Sequence, residues 1–362
     1  MPKGKAQSKS GGGKKKGKVE GKESRVSVAH NASRAMLVIN PVAGAGKTLR
    51  IWEELEGVLR ELQLDFDYRF TEAQGHAIEI GKEATRKGYG LIGVVGGDGT
   101  LYEVVNGIMF SESDIRPSVG IIPSGRGSDY CRTVGIPQDW QTAASLMVSG
   151  RKRLVDLGKM KYRNKDGSKV ESYFINIAGV GFDGEVTERA NEFPKILKKA
   201  VGGTATYLLS LLMTYASYTE KDIELQVDDE LLRVLAATVV VANGQYFGGK
   251  MRVAPEASPD DGLFDVIVIG AGFGSPVINL PHDEPAPSHS KIERVFAKFR
   301  MAKNVPGIYR GSHLQDPSVL ALRGKKVKVI SDERLVLQAD GEVIGEGPLS
   351  VEVIPGAIEI VA

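Results

Sequence analysis

Cysteine is almost absent. Cys131 is the one thiol in 362 residues, which excludes an internal disulfide framework and any cysteine-based zinc site and fits a reducing, cytosolic setting. Histidine is scarce too. His30, His76, His282, His289 and His313 show no H-E-x-x-H or comparable spacing, so no zinc site is expected. His76 belongs to a Gly-His-Ala turn and is expected to be structural. The first residues are rich in Lys, Gly and Ser without an apolar segment, so no secretory leader is expected, and Gly does not follow Met1, which argues against N-myristoylation. One apolar stretch, VGGTATYLLSLLMTYASY (201–218), comes near the roughly 18-residue lower limit for a membrane span. Gly, Thr, Ser and Tyr interrupt it, so it reads as a buried or interfacial helix.

What is present is an ordinary globular composition, 42% hydrophobic and 25% charged, with length enough for about two domains. The charge is unevenly placed. Residues 1–33 hold eight lysines and Arg25 against Glu20 and Glu23, a charge of +7, which leaves −5 of the net +2 to the rest. This low-complexity tail is expected to be disordered. It is either a solvated tail or a polybasic contact to anionic lipid, worth about 1 kcal/mol per lysine near the surface. No aromatic-basic module follows, so nucleic acid is not an expected partner.

From residue 34 to about 150 strands and helices alternate. Apolar runs at 35–40, 65–71, 91–96 and 118–123 precede helical patterns near 47–63, 75–88, 99–110, 125–134 and 138–149. Such alternation predicts an α/β domain with a parallel sheet and flanking helices. Beyond 150, strand-like runs dominate at 152–162, 171–180, 223–229, 231–243, 263–270 and from Lys325 onward, with helical stretches near 184–191 and 194–217. The segment 272–290 reads as a long loop. The predicted organisation is a basic tail (1–33), an α/β domain (34–156) and a larger, mainly antiparallel, sandwich-like β domain (157–349). Residues 350–362 are left free to return to the first domain.

Three strand ends carry glycine turns: NPVAGAGK, GGDGT and PSGRGSD. Ligands of open α/β sheets bind outside the carboxyl ends of strands, so the three are expected to converge. VINPVAGAGKTLR (38–50) is not a Walker loop, because Pro41 stands where its first glycine should be. GGDGTLYEVVNGI (96–108) follows a strand and opens a helix. Gly96, Gly97 and Gly99 let backbone approach phosphate oxygens, the helix N-terminus favours negative charge, and Thr100 can donate a hydroxyl. Asp98 would be repelled by a bare phosphate, so it implies a bound Mg²⁺ or a proton to be removed; as a plain local feature it is a helix N-cap.

GGDGTLYEVVNGI resembles the signature of the diacylglycerol kinase catalytic-domain family, which includes bacterial lipid kinases and sphingosine kinases. VINPVAGAGK is similar to the family's opening NP-x-x-G-x-G loop, FTEAQGHA (70–77) to its T-x-x-x-G-H-A element, and INIAGVGFDGEV (175–186) to its N-x-x-x-x-GFD segment. VVANGQYFGGKMRVAPEASPDDGLFDVIVI (240–269) resembles the GGG…DDG segment, and QADGE (338–342) the terminal DGE. The resemblance covers nearly all of 34–362. It departs at GRGSDYCR (125–132), where Arg126 and Ser128 replace the family's Thr and Asn while Asp129 and Arg132 remain.

The resemblance implies an ATP-dependent lipid kinase using Mg²⁺. Its nucleotide contacts would fall on Asn40, Thr71, Gly96, Gly97, Asp98, Gly99, Thr100, Leu101, Tyr102, Gly125 and Arg126. Lys47 is a further candidate phosphate contact. Glu342 matches the proton acceptor of bacterial members and Asp98 the base of sphingosine kinases; Glu342 is favoured as base, Asp98 as organiser, with Asp340 assisting or simply forming an Asp-Gly hairpin turn. A second Mg²⁺ is implied at Asp261 with the carbonyls of Ser258 and Leu263, against which stands a plain Asx turn. The expected acceptor is a hydroxyl of diacylglycerol or a sphingoid-type lipid at a membrane surface, met by a cytoplasmic, peripherally associated protein that a homodimer would also suit. The rival expectations are an NAD kinase and a non-catalytic lipid- or nucleotide-binding protein of the same fold.

Overall fold

The computed structural model describes residues 34–125, 127–193, 210, 213–214, 217–270 and 306–362. The basic tail, Arg126, most of the apolar stretch within 194–217 and the expected loop 272–290 lie outside the described residues. In the first part, β1 (Ala35–Ile39), α1 (Ala43–Glu61), β2 (Phe66–Phe70), α2 (His76–Arg86), β3 (Leu91–Gly96), α3 (Asp98–Met109), β4 (Ser118–Pro123), α4 (Asp129–Val134) and α5 (Trp140–Ser149) follow one another. β1 pairs in parallel with both β2 and β3, and β3 pairs in parallel with β4.

β1 shows why this sheet is covered on both sides. Side chains alternate along a strand. Met36 and Val38 enter one core with Ala77, Ile80 and Ala84 of α2 and Leu101, Val104 and Ile108 of α3. Ala35, Leu37 and Ile39 enter another with Trp52, Leu55 and Leu59 of α1 and Trp140 and Met147 of α5. A strand buried on both faces must be apolar at every position, which AMLVI is. Met36, Leu37, Val38 and Ile39 each contribute about 1.5–3 kcal/mol by leaving water.

The second part contains β5 (Lys152–Arg163), β6 (Lys169–Phe174), β7 (Ile177–Gly181), α6 (Phe182–Glu192), β8 (Lys221–Val227), β9 (Glu230–Ala242), β10 (Phe264–Gly270), β11 (Val319–Gly324), β12 (Lys326–Ile330), β13 (Val336–Ala339) and β14 (Glu342–Val361). The strands β5 to β13 pair antiparallel around a core of alternating Val, Leu and Phe. β14 joins the two parts. It pairs antiparallel with β13, β12 and β5, and its end meets β4 in parallel through Ile360 and Val119. Leu349, Val351 and Val353 belong to the β core, whereas Ala357, Ile358 and Ile360 belong to the α/β core.

The expected strand 171–180 is two strands. Between β6 and β7 the backbone N–H groups of Ile175, Asn176 and Ile177 are given to the carboxylate of Asp340 at 3.0, 3.0 and 2.9 Å. N–H groups committed to a side chain leave the ladder, so the strand breaks there.

Candidate active site

The three glycine turns touch one another. Gly44, Ala45 and Gly46 have φ of 58, 59 and 82°, so regular helix in α1 begins at Lys47. A Cβ at Gly44 would fall 2.1 Å from the carbonyl oxygen of Ser124, in the turn after β4. A Cβ at Gly125 would fall 2.6 Å from Cα of Gly97, in the turn after β3. The N–H groups of Ser124 and Gly125 both reach the carbonyl of Gly96, at 2.9 and 3.0 Å. Asn40, at the end of β1, donates its amide to Oγ1 of Thr100 at 3.0 Å, and the hydroxyls of Thr48 and Ser124 meet at 2.6 Å. The result is a backbone surface without Cβ atoms at the N-terminus of a twelve-residue helix. First-turn N–H groups lack intrahelical acceptors and the helix dipole is positive there. Such a cradle fits a polyphosphate.

The carboxylates around this cradle divide into two kinds. Asp98 accepts from the backbone N–H of Asp129 and of Tyr130, both at 3.1 Å, and so caps α4 rather than its own helix. Burial and the charge of Asp129 push its pKa up to about 6, against those two donors. Asp129 in turn accepts from the N–H groups of Gly249 and Lys250 at 2.8 and 2.9 Å, which latches α4 to the β domain. Asp340 holds residues 175–177, as above; burial pushes it up to about 7 while the three N–H donors pull it down. Each of these groups is satisfied by backbone.

Glu342 is different. It opens β14, immediately after Asp340 (φ 48°) and Gly341 (φ 90°). Two consecutive positive φ values between paired Ala339 and Glu342 make a two-residue hairpin turn of the primed kind, which is why Asp-Gly stands there. The turn sends Glu342 across to α3, where its Oε1 would lie 2.5 Å from a Cβ at Gly99. Its other oxygen takes one hydrogen bond, from the Gln74 amide at 3.1 Å. Burial first, and the nearby charge of Glu103 second, push Glu342 up to about 7. A carboxylate poised near neutrality beside an anion cradle can accept a proton.

The other expected contacts fall unevenly. Thr71 follows β2, half-buried, with its N–H on the carbonyl of Ile39 at 2.8 Å. Leu101 is in the α/β core and Tyr102 in the β core, so neither side chain faces the cradle. Lys47 is exposed in the first regular turn of α1. Three supporting residues were not singled out from sequence. Glu103 accepts from the N–H groups of Gly75 and Ala77 at 2.7 and 3.1 Å, which ties the QGHA turn to α3. Gln74 touches Glu342, and Gln338 lies beneath the Asp340-Gly341 turn. Glu103 and Gln338 occupy ordinary positions in a helix and a strand, and Gln74 lies in the turn before α2, so nothing local marks their roles.

The turn expected to hold a second Mg²⁺ does not fit one. Asp261 accepts from the N–H of Leu263 at 3.1 Å with one oxygen, the Asx-turn arrangement. Its other oxygen takes the guanidinium of Arg323, which also reaches Asp265 at 3.4 Å. Asp260 is paired with Arg153 at 2.7 Å and accepts from the Ser258 hydroxyl at 2.8 Å. In this arrangement the guanidinium of Arg323 already supplies the positive charge at Asp261.

With this geometry in hand, comparison with known proteins is direct. The family model described as diacylglycerol kinase catalytic domain matches residues 34–160, and that described as YegS C-terminal NAD kinase beta sandwich-like domain matches 176–280 and 292–362. The chain is 29% identical over 316 residues to a diacylglycerol kinase of Bacillus subtilis (strain 168), covering 87% of this chain and 91% of the relative. It is 28% identical over 327 residues to one of Staphylococcus carnosus (strain TM300), covering 90% and 94%. A crystal structure from Bacillus anthracis str. Sterne, provisionally described as a diacylglycerol kinase, superposes with a TM-score of 0.67 at 25% identity over 91% of this chain and 95% of that one.

Proposed function

We propose that this chain, a phosphotransferase with an alcohol acceptor whose first part matches the diacylglycerol kinase catalytic-domain family, is an ATP-dependent lipid kinase acting on the hydroxyl of diacylglycerol or a sphingoid-type lipid. The observation that carries this reading is the seat of the Glu342 carboxylate against the bare Gly99 of the glycine cradle. ATP would supply the γ-phosphoryl group, and Mg²⁺ bound with it would offset the negative charge of the phosphates. The cradle of Gly44, Gly96, Gly97, Gly99 and Gly125 offers the phosphates a surface without Cβ atoms, and the first-turn N–H groups of α3 orient them.

An alcohol at neutral pH is a weak nucleophile, and its proton must leave as the new bond forms. Glu342 takes that proton. The acceptor oxygen bonds to the γ-phosphorus while the bond from phosphorus to the β–γ bridging oxygen breaks, and ADP departs with that electron pair. Asp98 braces the cradle through α4, which makes it an organiser. Such positioning is the larger part of phosphoryl-transfer catalysis. The same reading has the protein working peripherally at the cytoplasmic face of a membrane, with the lysine-rich tail as its contact to anionic lipid.

The test is incubation with labelled ATP, Mg²⁺ and a panel of lipid alcohols. Label is expected to pass to one or more lipids, and Glu342→Gln is expected to slow the transfer by about 10²–10⁴-fold. Intact ATP with every lipid unlabelled would sink the reading.

A further inference from the structure

Glu342 reaches Gly99 only if the Asp340-Gly341 turn is held in one orientation, and one side of that turn is held by a buried relay of side chains. Gln338, on β13, is fully buried. Its Oε1 accepts from the N–H of Gly341 at 3.0 Å, and its Nε2 donates to Oδ2 of Asp183 at 3.0 Å. Gln338 faces Gly179 across the β7–β13 ladder. A Cβ at Gly179 would fall 1.6 Å from Oδ2 of Asp183 and 2.7 Å from Nε2 of Gln338, so the missing side chain is what admits the pair.

Asp183 stands in the first turn of α6, and its second oxygen lies 2.8 Å from Oγ1 of Thr238. The Thr238 hydroxyl also lies 3.0 Å from the carbonyl of Val180. A hydroxyl has one proton and cannot donate to both acceptors. The network closes when Asp183 is a carboxylic acid: its O–H donates to Thr238, Thr238 donates to Val180, and the remaining Asp183 oxygen accepts from Gln338. Burial, the largest influence on Asp183, acts in the same direction, against the Gln338 amide and the backbone N–H of Gly184.

We infer that Gln338 and a neutral Asp183 form a positioning relay, Val180–Thr238–Asp183–Gln338–Gly341, that aims the turn carrying Glu342 at the γ-phosphoryl site. The inference rests on the reading of Glu342 as proton acceptor. Neither relay side chain touches the cradle, so the relay governs the proton-transfer geometry and leaves nucleotide binding alone.

Gln338→Met keeps the length of the side chain and removes both hydrogen bonds. A folded Gln338→Met chain is expected to lose kcat by about tenfold or more, with KM for ATP within about twofold of wild type. Wild-type kcat in that chain, or a KM for ATP that rises in step with the fall in kcat, overturns the relay. Gln338→Glu supplies an answer that does not depend on folding of the first variant. A glutamate there can accept from Gly341, but it must carry its own proton to donate to Asp183. Its kcat relative to wild type is therefore expected to fall as pH rises from 6 to 8, whereas a ratio that stays flat overturns the relay. Glu342→Gln separates the premise from the inference. Full activity in Glu342→Gln defeats the assignment of the base, while an inactive Glu342→Gln beside a fully active Gln338→Met defeats the relay alone.

Discussion

The carboxylate of Glu342 rests where the side chain of residue 99 would be: a Cβ at Gly99 would stand 2.5 Å from Oε1 of Glu342. The two residues come from opposite halves of the chain, and their contact brings the one cradle carboxylate not satisfied by backbone N–H groups to the N-terminus of α3. This contact makes an unusual mutation informative. Gly99 lies inside a helix, where alanine is favoured over glycine by about 0.5–1 kcal/mol. The clash falls on the far end of a flexible side chain, which can swing away at little cost. Gly99→Ala is therefore expected to melt at or above the wild-type temperature while kcat drops by about tenfold or more through the displaced carboxylate. Thermal melts and steady-state kinetics on the same preparation check it; unchanged kcat would show that Glu342 does no work at that seat.

Glu342 is pushed up to about 7, and a base must be deprotonated to act. The kcat/KM is expected to rise tenfold per pH unit below about 7 and level off above it, and Glu342→Gln is expected to lose about 10²–10⁴-fold. The stability consequence has the opposite sign. A carboxyl raised in the folded state binds its proton more tightly there than in the unfolded chain, so stability is greatest below the unfolded pKa and falls as pH climbs through the folded one. Asp98, raised to about 6, acts in the same direction. Melting temperature is expected to decline from pH 5 to 8 while activity climbs, and Glu342→Gln to flatten part of that decline.

Lys250 is the strained member of the latch. It sits at φ 78° after Gly248 at 64° and Gly249 at 83°, with its N–H on Asp129. A side chain in this region costs about 1–2 kcal/mol, which glycine avoids at some expense in unfolded-state entropy. Lys250→Gly is expected to raise stability by about 0.5–1 kcal/mol in urea titration. Asp129→Ala, which takes the acceptor from the N–H groups of Gly249 and Lys250, is expected to lower it by about 1 kcal/mol.

Arg323 occupies the cationic role in the Asp261–Asp265 turn. A chelator is therefore expected to leave the melting temperature of the wild-type protein unchanged, and Arg323→Gln to lower stability by about 1 kcal/mol. A wild-type melting temperature that rises with added Mg²⁺ in the absence of nucleotide would count against the arginine.

Much of the site was readable because it is written in backbone conformation. Asp340-Gly341 reads as a primed turn from two residues, and Gly44 and Gly125 mark contacts that leave no room for a Cβ. The amphipathic and apolar periods placed the helices and strands within a few residues. The break between β6 and β7 was not readable. ESYFINIAGV has strand character throughout, and the competing acceptor, Asp340, comes from 163 to 165 residues away. The side chains of Leu101 and Tyr102, next to GGDGT in the sequence, enter the α/β and β cores, because a helix turns each successive residue by about 100°.

By itself the sequence determined where the chain turns and where its backbone lies bare, because those properties depend on neighbouring residues and on the absence of a Cβ. Its ordered motifs also carry the resemblance to the diacylglycerol kinase catalytic-domain family. Only the tertiary structure decided what each acidic side chain does. Asp98 caps a helix 31 residues on, Asp340 clamps a strand break, Asp261 answers an arginine, and Glu342 meets Gln74 across 268 residues to lie over Gly99. A carboxylate has the same chemistry wherever it is written. Its role follows from which donors the fold brings within about 3 Å, and those donors come from segments the local sequence does not name.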